Sequence, residues 1–252
     1  MNFLKNAITV SLCTLISRIS GFIRDIFFAK YLGTGFFSDV FLTAFKLPNF
    51  FRNIFAEGAF NSAFVPVFSS SIVENDKSKS DYFLKNLFSI LFYSLLIFTI
   101  FIEIFMPFVI KIIAFGFSND LSKYELSITL SRITFPYLIF ISIVSFFSGI
   151  LNSIGKFTAT SLCPVILNIS FVFFAILSSF LNANIAFMLS IAIFVAGILQ
   201  FLFLLFFTVK SGYIVYPIVP KIDGKLKEFF KIFSSSLAGS GIVQINSMVD
   251  AI

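Results

Sequence analysis

Arg18, Arg24 and Arg52 lie within the first sixty residues, inside stretches whose other residues are apolar enough to sit in lipid. A charged side chain at mid-bilayer costs roughly 2.5–3.5 kcal/mol on insertion scales and ordinarily faces a bundle interior or a watery cavity. The guanidinium is also a planar fork of donors that fits phosphate or carboxylate oxygens two at a time. Three such forks without three obvious anions beside them describe a cavity for something negative, and a pyrophosphate is a natural guest.

The surroundings of each arginine sharpen this. Ser17, Gly21, Arg24 and Phe28 follow one helical stripe, spaced four, three and four apart, while Arg18 and Asp25 share a second stripe. Arg18 and Arg24 lie about 120° apart around an ideal helix, so they reach one site only if the cavity is wide or the helix bends at Gly21. The competing reading is structural: Asp25 neutralises one arginine and the other snorkels to a headgroup. Asp39 and Lys46 share a face of the next segment, though Asp39 is close enough to a loop to be interfacial. Arg52 follows Pro48 and is ringed by Phe50, Phe51, Ile54 and Phe55, with Glu57 five residues on.

Near the end, Asp250 is an acid in an apolar helix, with Asn246 four residues before it. Oxygen ligands of that kind suit Na⁺ or a proton relay, and a solvated helix end is the plainer alternative.

No enzyme constellation competes. There is no His, so the usual general base and commonest metal ligand are absent. There is no Walker loop, Glu103 is isolated, and Cys13 and Cys163 have no CxxC partner, which leaves them as small lipid-compatible side chains. The net charge of +6 is dilute and no basic run is interleaved with stacking aromatics, which argues against nucleic acid.

These residues are carried by a chain that is 58% hydrophobic and 12% charged, with a mean hydropathy of +1.02. Ordinary soluble domains carry about 25% charged residues. The pattern predicts an all-α integral membrane protein with spans at roughly 5–32, 36–70, 82–115, 124–153, 160–181, 185–209 and 226–252. The first is no cleavable signal peptide, being too long and carrying arginines at its centre. Pro48, Pro107, Pro136 and Pro164 fall in or near spans, which predicts a kinked, rearrangeable bundle. Pro217 and Pro220 block a helix in the long loop Lys210–Lys225. Gly239, Ser240 and Gly241 are small enough for close helix packing. The 41 phenylalanines look like codon drift in an AT-rich genome and individually carry little functional information.

Lysines set the orientation. Lys77, Lys79, Lys156, Lys210, Lys221, Lys225, Lys227 and Lys231 lie in alternate loops or at their edges, and the opposing loops hold only Lys123. The positive-inside rule then puts the N-terminus in the cytoplasm.

Ser17-Arg18-Ile19-Ser20-Gly21-Phe22-Ile23-Arg24-Asp25, Ala44-Phe45-Lys46-Leu47-Pro48-Asn49 and Arg52-Asn53-Ile54-Phe55-Ala56-Glu57-Gly58-Ala59-Phe60 resemble the MurJ (MviN) family. So do Ala63-Phe64-Val65-Pro66, Ile133-Thr134-Phe135-Pro136-Tyr137, the Gly149-Ile150-Leu151-Asn152 turn and Pro164 to Asn168. The resemblance implies a lipid II flippase of the MOP superfamily, which moves an undecaprenyl-pyrophosphate-linked peptidoglycan precursor across the bacterial inner membrane. It implies a six-helix N-terminal lobe of a MOP/MATE-like transporter (1–209), a cytoplasmic linker (210–225) and helix seven (226–252). It assigns Arg18, Arg24, Arg52, Asp39 and Ser17 to substrate, Glu57 to gating, and Asp250 to a Na⁺ site. No cofactor is expected beyond coupling to Na⁺ or the membrane potential, and the partners are lipid II and membrane lipids.

Family members are about twice this long, so a fragment or split-gene product is expected, with a second polypeptide or copy supplying the other lobe. Rival expectations are another MOP-type exporter of polyprenyl-linked glycans or drugs, and an inactive fragment that at most scaffolds cell-wall synthesis.

Overall fold

The computed structural model describes residues 2–52, 59–73, 77–117 and 120–249, and the described residues are helical with short connections. In chain order the helices are α1 (Asn2–Tyr31), α2 (Phe36–Arg52), α3 (Ala59–Val73), α4 (Lys77–Ile104) and α5 (Met106–Ile113), then α6 (Leu121–Thr134), α7 (Tyr137–Ser153), α8 (Phe157–Phe180), α9 (Ile185–Lys210) and α10 (Gly224–Val249).

Side-chain caps set several starts. The Asp120 carboxylate accepts from the Lys123 amide at 3.1 Å, Asn184 Oδ1 from Ala186 and Phe187, and Asp223 from Leu226 at 2.8 Å. Each satisfies an amide that the first helical turn leaves unpaired.

Four helical stretches among the described residues are long and apolar enough to cross a membrane: Lys77–Ile104, Leu121–Ser153, Phe157–Phe180 and Ile185–Lys210. These correspond to the third to sixth of the seven spans read from the sequence. α1 is 30 residues long and carries Arg18, Arg24, Asp25 and Lys30. The expected second span is two helices, α2 and α3, each too short to cross alone. The third divides at Phe105 into α4 and α5, where Pro107 occupies the first turn of α5. The fourth turns at Phe135–Pro136 between α6 and α7.

Pro48 does not end α2, which continues to Arg52. A proline in a helix leaves the carbonyl four residues earlier without its donor, here Ala44. Thr134 Oγ1 donates to the Ala44 oxygen at 2.9 Å within the buried interface between α2 and α6. The hydroxyl replaces the bond the proline cannot make.

Aromatic packing binds the bundle. Phe171 of α8 meets Phe28 of α1 at 5.0 Å and Phe45 and Phe41 of α2 at 5.8 and 6.2 Å. A second column, Phe60, Phe64 and Phe68 of α3, packs on Phe146 of α7 and Phe83 of α4. Phe229 brings α10 onto it, 5.6 Å from Phe60. Phenylalanines whose abundance looked like drift are therefore the principal packing units. Gly149 and Gly197 exist because rings press on them: an added Cβ would lie 2.6 Å from Phe64 Cδ1 and 2.7 Å from Tyr137 Cδ2 respectively. Gly239 faces open space, so the expected close packing does not occur there among the described residues.

Between α9 and α10, residues 213–223 form an extended strap, as Pro217 and Pro220 predict. Ile218 N donates to Ser89 Oγ at 2.7 Å and Lys221 N to the buried Asn86 Oδ1 at 2.9 Å, which fastens the strap along α4. Tyr213 packs on Phe68 at 5.8 Å. Burial, and then the Asp81 carboxylate, raise its phenol above the ordinary value, so the ring stays neutral.

Candidate functional site

The stripe Ser17–Gly21–Arg24–Phe28 is the seam between α1 and α8. Asn168, 6% exposed, lies against three of its members. Its Nδ2 donates to Ser20 Oγ at 2.9 Å and to the Ser17 carbonyl at 3.4 Å, and sits 3.6 Å from where a Gly21 Cβ would be. Its Oδ1 accepts from Arg24 Nη1 at 3.1 Å. Ser17 thus contributes its backbone, and Gly21 lies beside the amide at ordinary contact distance within an unbroken helix.

Arg24 is engaged on its other edge too. Nε and Nη2 both donate to Asp25 Oδ1, at 3.0 and 2.8 Å. Asp25 was read as sharing a stripe with Arg18, yet it pairs with its sequence neighbour Arg24. Exposure is asymmetric, with 27% of the Arg24 side chain accessible against 61% of Asp25, so the pair sits at a surface of the bundle.

Arg52 ends α2, where its Nε donates to Asn49 Oδ1 at 3.0 Å. It lines a cavity of about 170 Å³ shared with Asn61, Ser145, Ser148, Thr160 and Leu167 among others. Asn61 Oδ1 is buried without a partner among the described residues. Gln200 closes the floor, donating to the Cys163 carbonyl at 3.1 Å. The polar lining contrasts with a larger cavity of about 330 Å³ between α3, α4 and α10, whose one hydroxyl is Ser94.

α8 connects the two arginines: Leu167 lines the Arg52 cavity and the adjacent Asn168 holds Arg24. Arg18 does not join them. It is exposed, about 120° round α1, and makes no hydrogen bond or ion pair to a described residue. Asp39 lies elsewhere again, in the first turn of α2, where it takes the Lys123 ammonium at 2.8 Å. Lys123 in turn lies 5.3 Å over the Phe117 ring. Glu57 and Asp250 lie outside the described residues.

Cys13 and Cys163 are both buried free thiols. No group of three His, Cys, Asp or Glu residues able to hold a metal occurs among the described residues.

Sequence reasoning did not assign roles to Asn168, Asn49 or Lys123. Asn168 and Asn49 do carry a signal, being amides within otherwise apolar helices, and both fall in segments that carry the family resemblance. The partnership of Lys123 with Asp39 joins positions 84 residues apart, and no local pattern encodes it.

Comparison with known proteins gives a consistent picture. The family profile described as lipid II flippase MurJ matches residues 28–252. A probable lipid II flippase MurJ of Rhizobium tropici is 38% identical over 99% of this chain and 48% of that protein. One from Rickettsia prowazekii (strain Madrid E) is 35% identical over 99% of this chain and 49% of its own length. Among solved structures, a lipid II flippase MurJ in an inward closed conformation superposes with a TM-score of 0.78 at 31% identity, covering 96% of this chain and 50% of that one. An outward-facing multidrug resistance MATE transporter of the MOP superfamily, 16% identical with a TM-score of 0.68, shares the fold. The chain spans about half the length of the curated relatives it matches. With its apolar helices of bilayer-crossing length, the chain is a membrane protein that belongs to the lipid II flippase MurJ family.

Proposed function

We propose that this chain is the first lobe of a lipid II flippase and grips the pyrophosphate of an undecaprenyl-linked precursor through Arg24 and Arg52, with Arg18 meeting it from the exposed flank of α1. What supports this is that Asn168 of α8 accepts from Arg24 while the adjacent Leu167 lines the cavity that Arg52 also lines, in a member of this family. Two guanidinium forks can divide the oxygens of a diphosphate between them.

The Arg24–Asp25 pair supplies an exchange mechanism. An arriving diphosphate competes with Asp25 for Nε and Nη2, while Asn168 keeps Nη1 fixed. Asp25 is mostly exposed, so the displaced carboxylate is resolvated rather than stranded. Ser17 serves through its place in the α1–α8 seam. Asp39 acts through Lys123, fixing the start of α2 against α6.

In this reading residues 1–209 form the lobe, 210–225 a cytoplasmic linker, and 226–252 the seventh helix. The lysine-rich loops face the cytoplasm across the bacterial inner membrane. The reaction is transport rather than catalysis, driven by the membrane potential or an ion gradient, with Asp250 a Na⁺ ligand and Glu57 a gate. Rocking needs an opposing lobe.

The test is complementation of flippase-depleted cells by these 252 residues, alone and together with the C-terminal half of the Rhizobium tropici relative. Rescue that the R24A/R52A variant fails to give supports the assignment. Rescue undiminished in R24A/R52A, or no rescue in either setting by a chain present in the membrane, overturns it.

A further inference from the structure

The cavity that Arg52 lines holds more polar groups than a phosphate alone would need. Some of them are already engaged with the protein. Gln200 accepts from Tyr137 Oη at 3.5 Å and donates to the Cys163 carbonyl, and Thr160 Oγ1 donates to Asn152 Oδ1 at 3.0 Å. Asn61 and Ser148 are not. Asn61 Oδ1 is buried without a partner, and Ser148 makes no hydrogen bond to a described residue. The two lie together: Gly149 follows Ser148 on α7, and a Cβ at Gly149 would stand 3.4 Å from Asn61 Oδ1. A buried acceptor left without a donor is destabilising, so this position favours an incoming N–H or O–H.

The rest of the lining narrows what that donor belongs to. Ile141, Val144 and Leu167 supply apolar wall, and Arg52 is the one cationic side chain among the lining residues. At about 170 Å³ the cavity is smaller than pockets that enclose a whole drug-sized ligand, roughly 300–1,000 Å³, so it suits a substituent rather than a headgroup. An acetamido group matches the wall point by point, with an N–H for Asn61 Oδ1, a carbonyl for the Ser148 hydroxyl and a methyl for the apolar side chains. A bare hydroxyl would answer Asn61 and leave the apolar wall against water. The rim is reachable, because Pro164 is exposed and lies on the face of α8 that carries Leu167 and Asn168, three and four residues on.

We propose that this cavity is a specificity pocket for a 2-acetamido sugar 1-diphosphate, in which Asn61 and Ser148 hold the acetamido group while Arg52 takes the phosphate. In such a sugar the two substituents sit on neighbouring ring carbons, so one small cavity with a guanidinium in its wall can serve both. The inference rests on the diphosphate reading and goes beyond it, naming the group beside the phosphate and the residues that recognise it.

Equilibrium binding of two lipids to the 252-residue chain in phosphatidylcholine nanodiscs tests this. One is undecaprenyl diphosphate carrying N-acetylglucosamine, and the other carries glucose, with a hydroxyl where the first has the acetamido group. The wild type should bind the acetamido lipid about tenfold more tightly, the scale of a hydrogen-bonding site that rejects an analogue lacking its partner groups. N61A/S148A should bind the two lipids alike. R52K should weaken both by a similar factor and keep the preference. Equal affinity of the wild type for the two lipids overturns the pocket, and this reading needs no variant to fold. A preference that survives in N61A/S148A overturns the assignment to these residues. Failure of the diphosphate reading looks different: R52K then binds both lipids as tightly as the wild type, or the wild type binds neither, and either result overturns both claims.

Discussion

Arg24 Nη1 donates to Asn168 Oδ1 across 3.1 Å, and the same amide returns Nδ2 to Ser20 Oγ on the helix that carries the arginine. One buried side chain thus sets both the α1–α8 seam and the direction of the guanidinium. Asn168→Leu should strand the Arg24 and Ser20 groups and cost about 1–3 kcal/mol of stability. Asn168→Asp should keep the Arg24 contact and lose the donors to Ser17 and Ser20. Thermal unfolding in one detergent checks the order, wild type above Asp above Leu.

Thr134 and Pro48 form a second testable couple. Removing the hydroxyl with Thr134→Val leaves the Ala44 carbonyl without a donor and should cost about 1–3 kcal/mol. In a Pro48→Ala background the helix regains its own amide donor, so the same change should cost less. A double-mutant cycle showing no coupling would refute the compensating role.

Gly149 and Gly197 are tests of close packing. Gly149→Ala places a methyl 2.6 Å from Phe64 Cδ1, on a ring with no exposure, and Gly197→Ala places one 2.7 Å from Tyr137. Overpacking of this kind costs typically 1–3 kcal/mol. Gly239→Ala, in open space, should be nearly neutral or stabilising.

Asp39 separates structural from functional weight. Its pair with Lys123 is partly exposed, 46% on the aspartate side and 25% on the lysine side. Asp39→Asn should therefore cost about 0.2–1 kcal/mol, less in high salt. Lys123→Gln should match it if Asp39 acts through that lysine. A lipid II binding defect in D39N that K123Q does not share would place Asp39 on the substrate directly.

Much of the site was legible because burying an arginine in lipid is costly enough to mark it. The stripe Ser17–Gly21–Arg24–Phe28 was readable from helical spacing alone, and the structure makes it the seam with α8. What faces the stripe was not readable, since Asn168 lies 144 residues from Arg24 and no local period links them. Proline positions predict kinks at Pro48, Pro107, Pro136 and Pro164 alike; the chain breaks near Pro107 and Pro136 but α2 runs through Pro48, where the donor to the Ala44 carbonyl comes from Thr134, 90 residues away. Periodicity places Asp25 on the same stripe as Arg18, whereas side-chain reach lets it pair with Arg24 beside it.

Arg24, held by Asn168 of α8, and Arg52, at the cavity that α8 lines, are proposed to bind a diphosphate through their planar forks. The most direct test is equilibrium binding of lipid II to the 252-residue chain in nanodiscs of phosphatidylcholine, comparing wild type with R24K, R52K and the double variant. Lysine keeps each charge and loses the fork, so affinity should fall about tenfold or more in the double variant while the fold, read by circular dichroism, is retained. Lipid II bound equally by wild type and R24K/R52K would contradict the account.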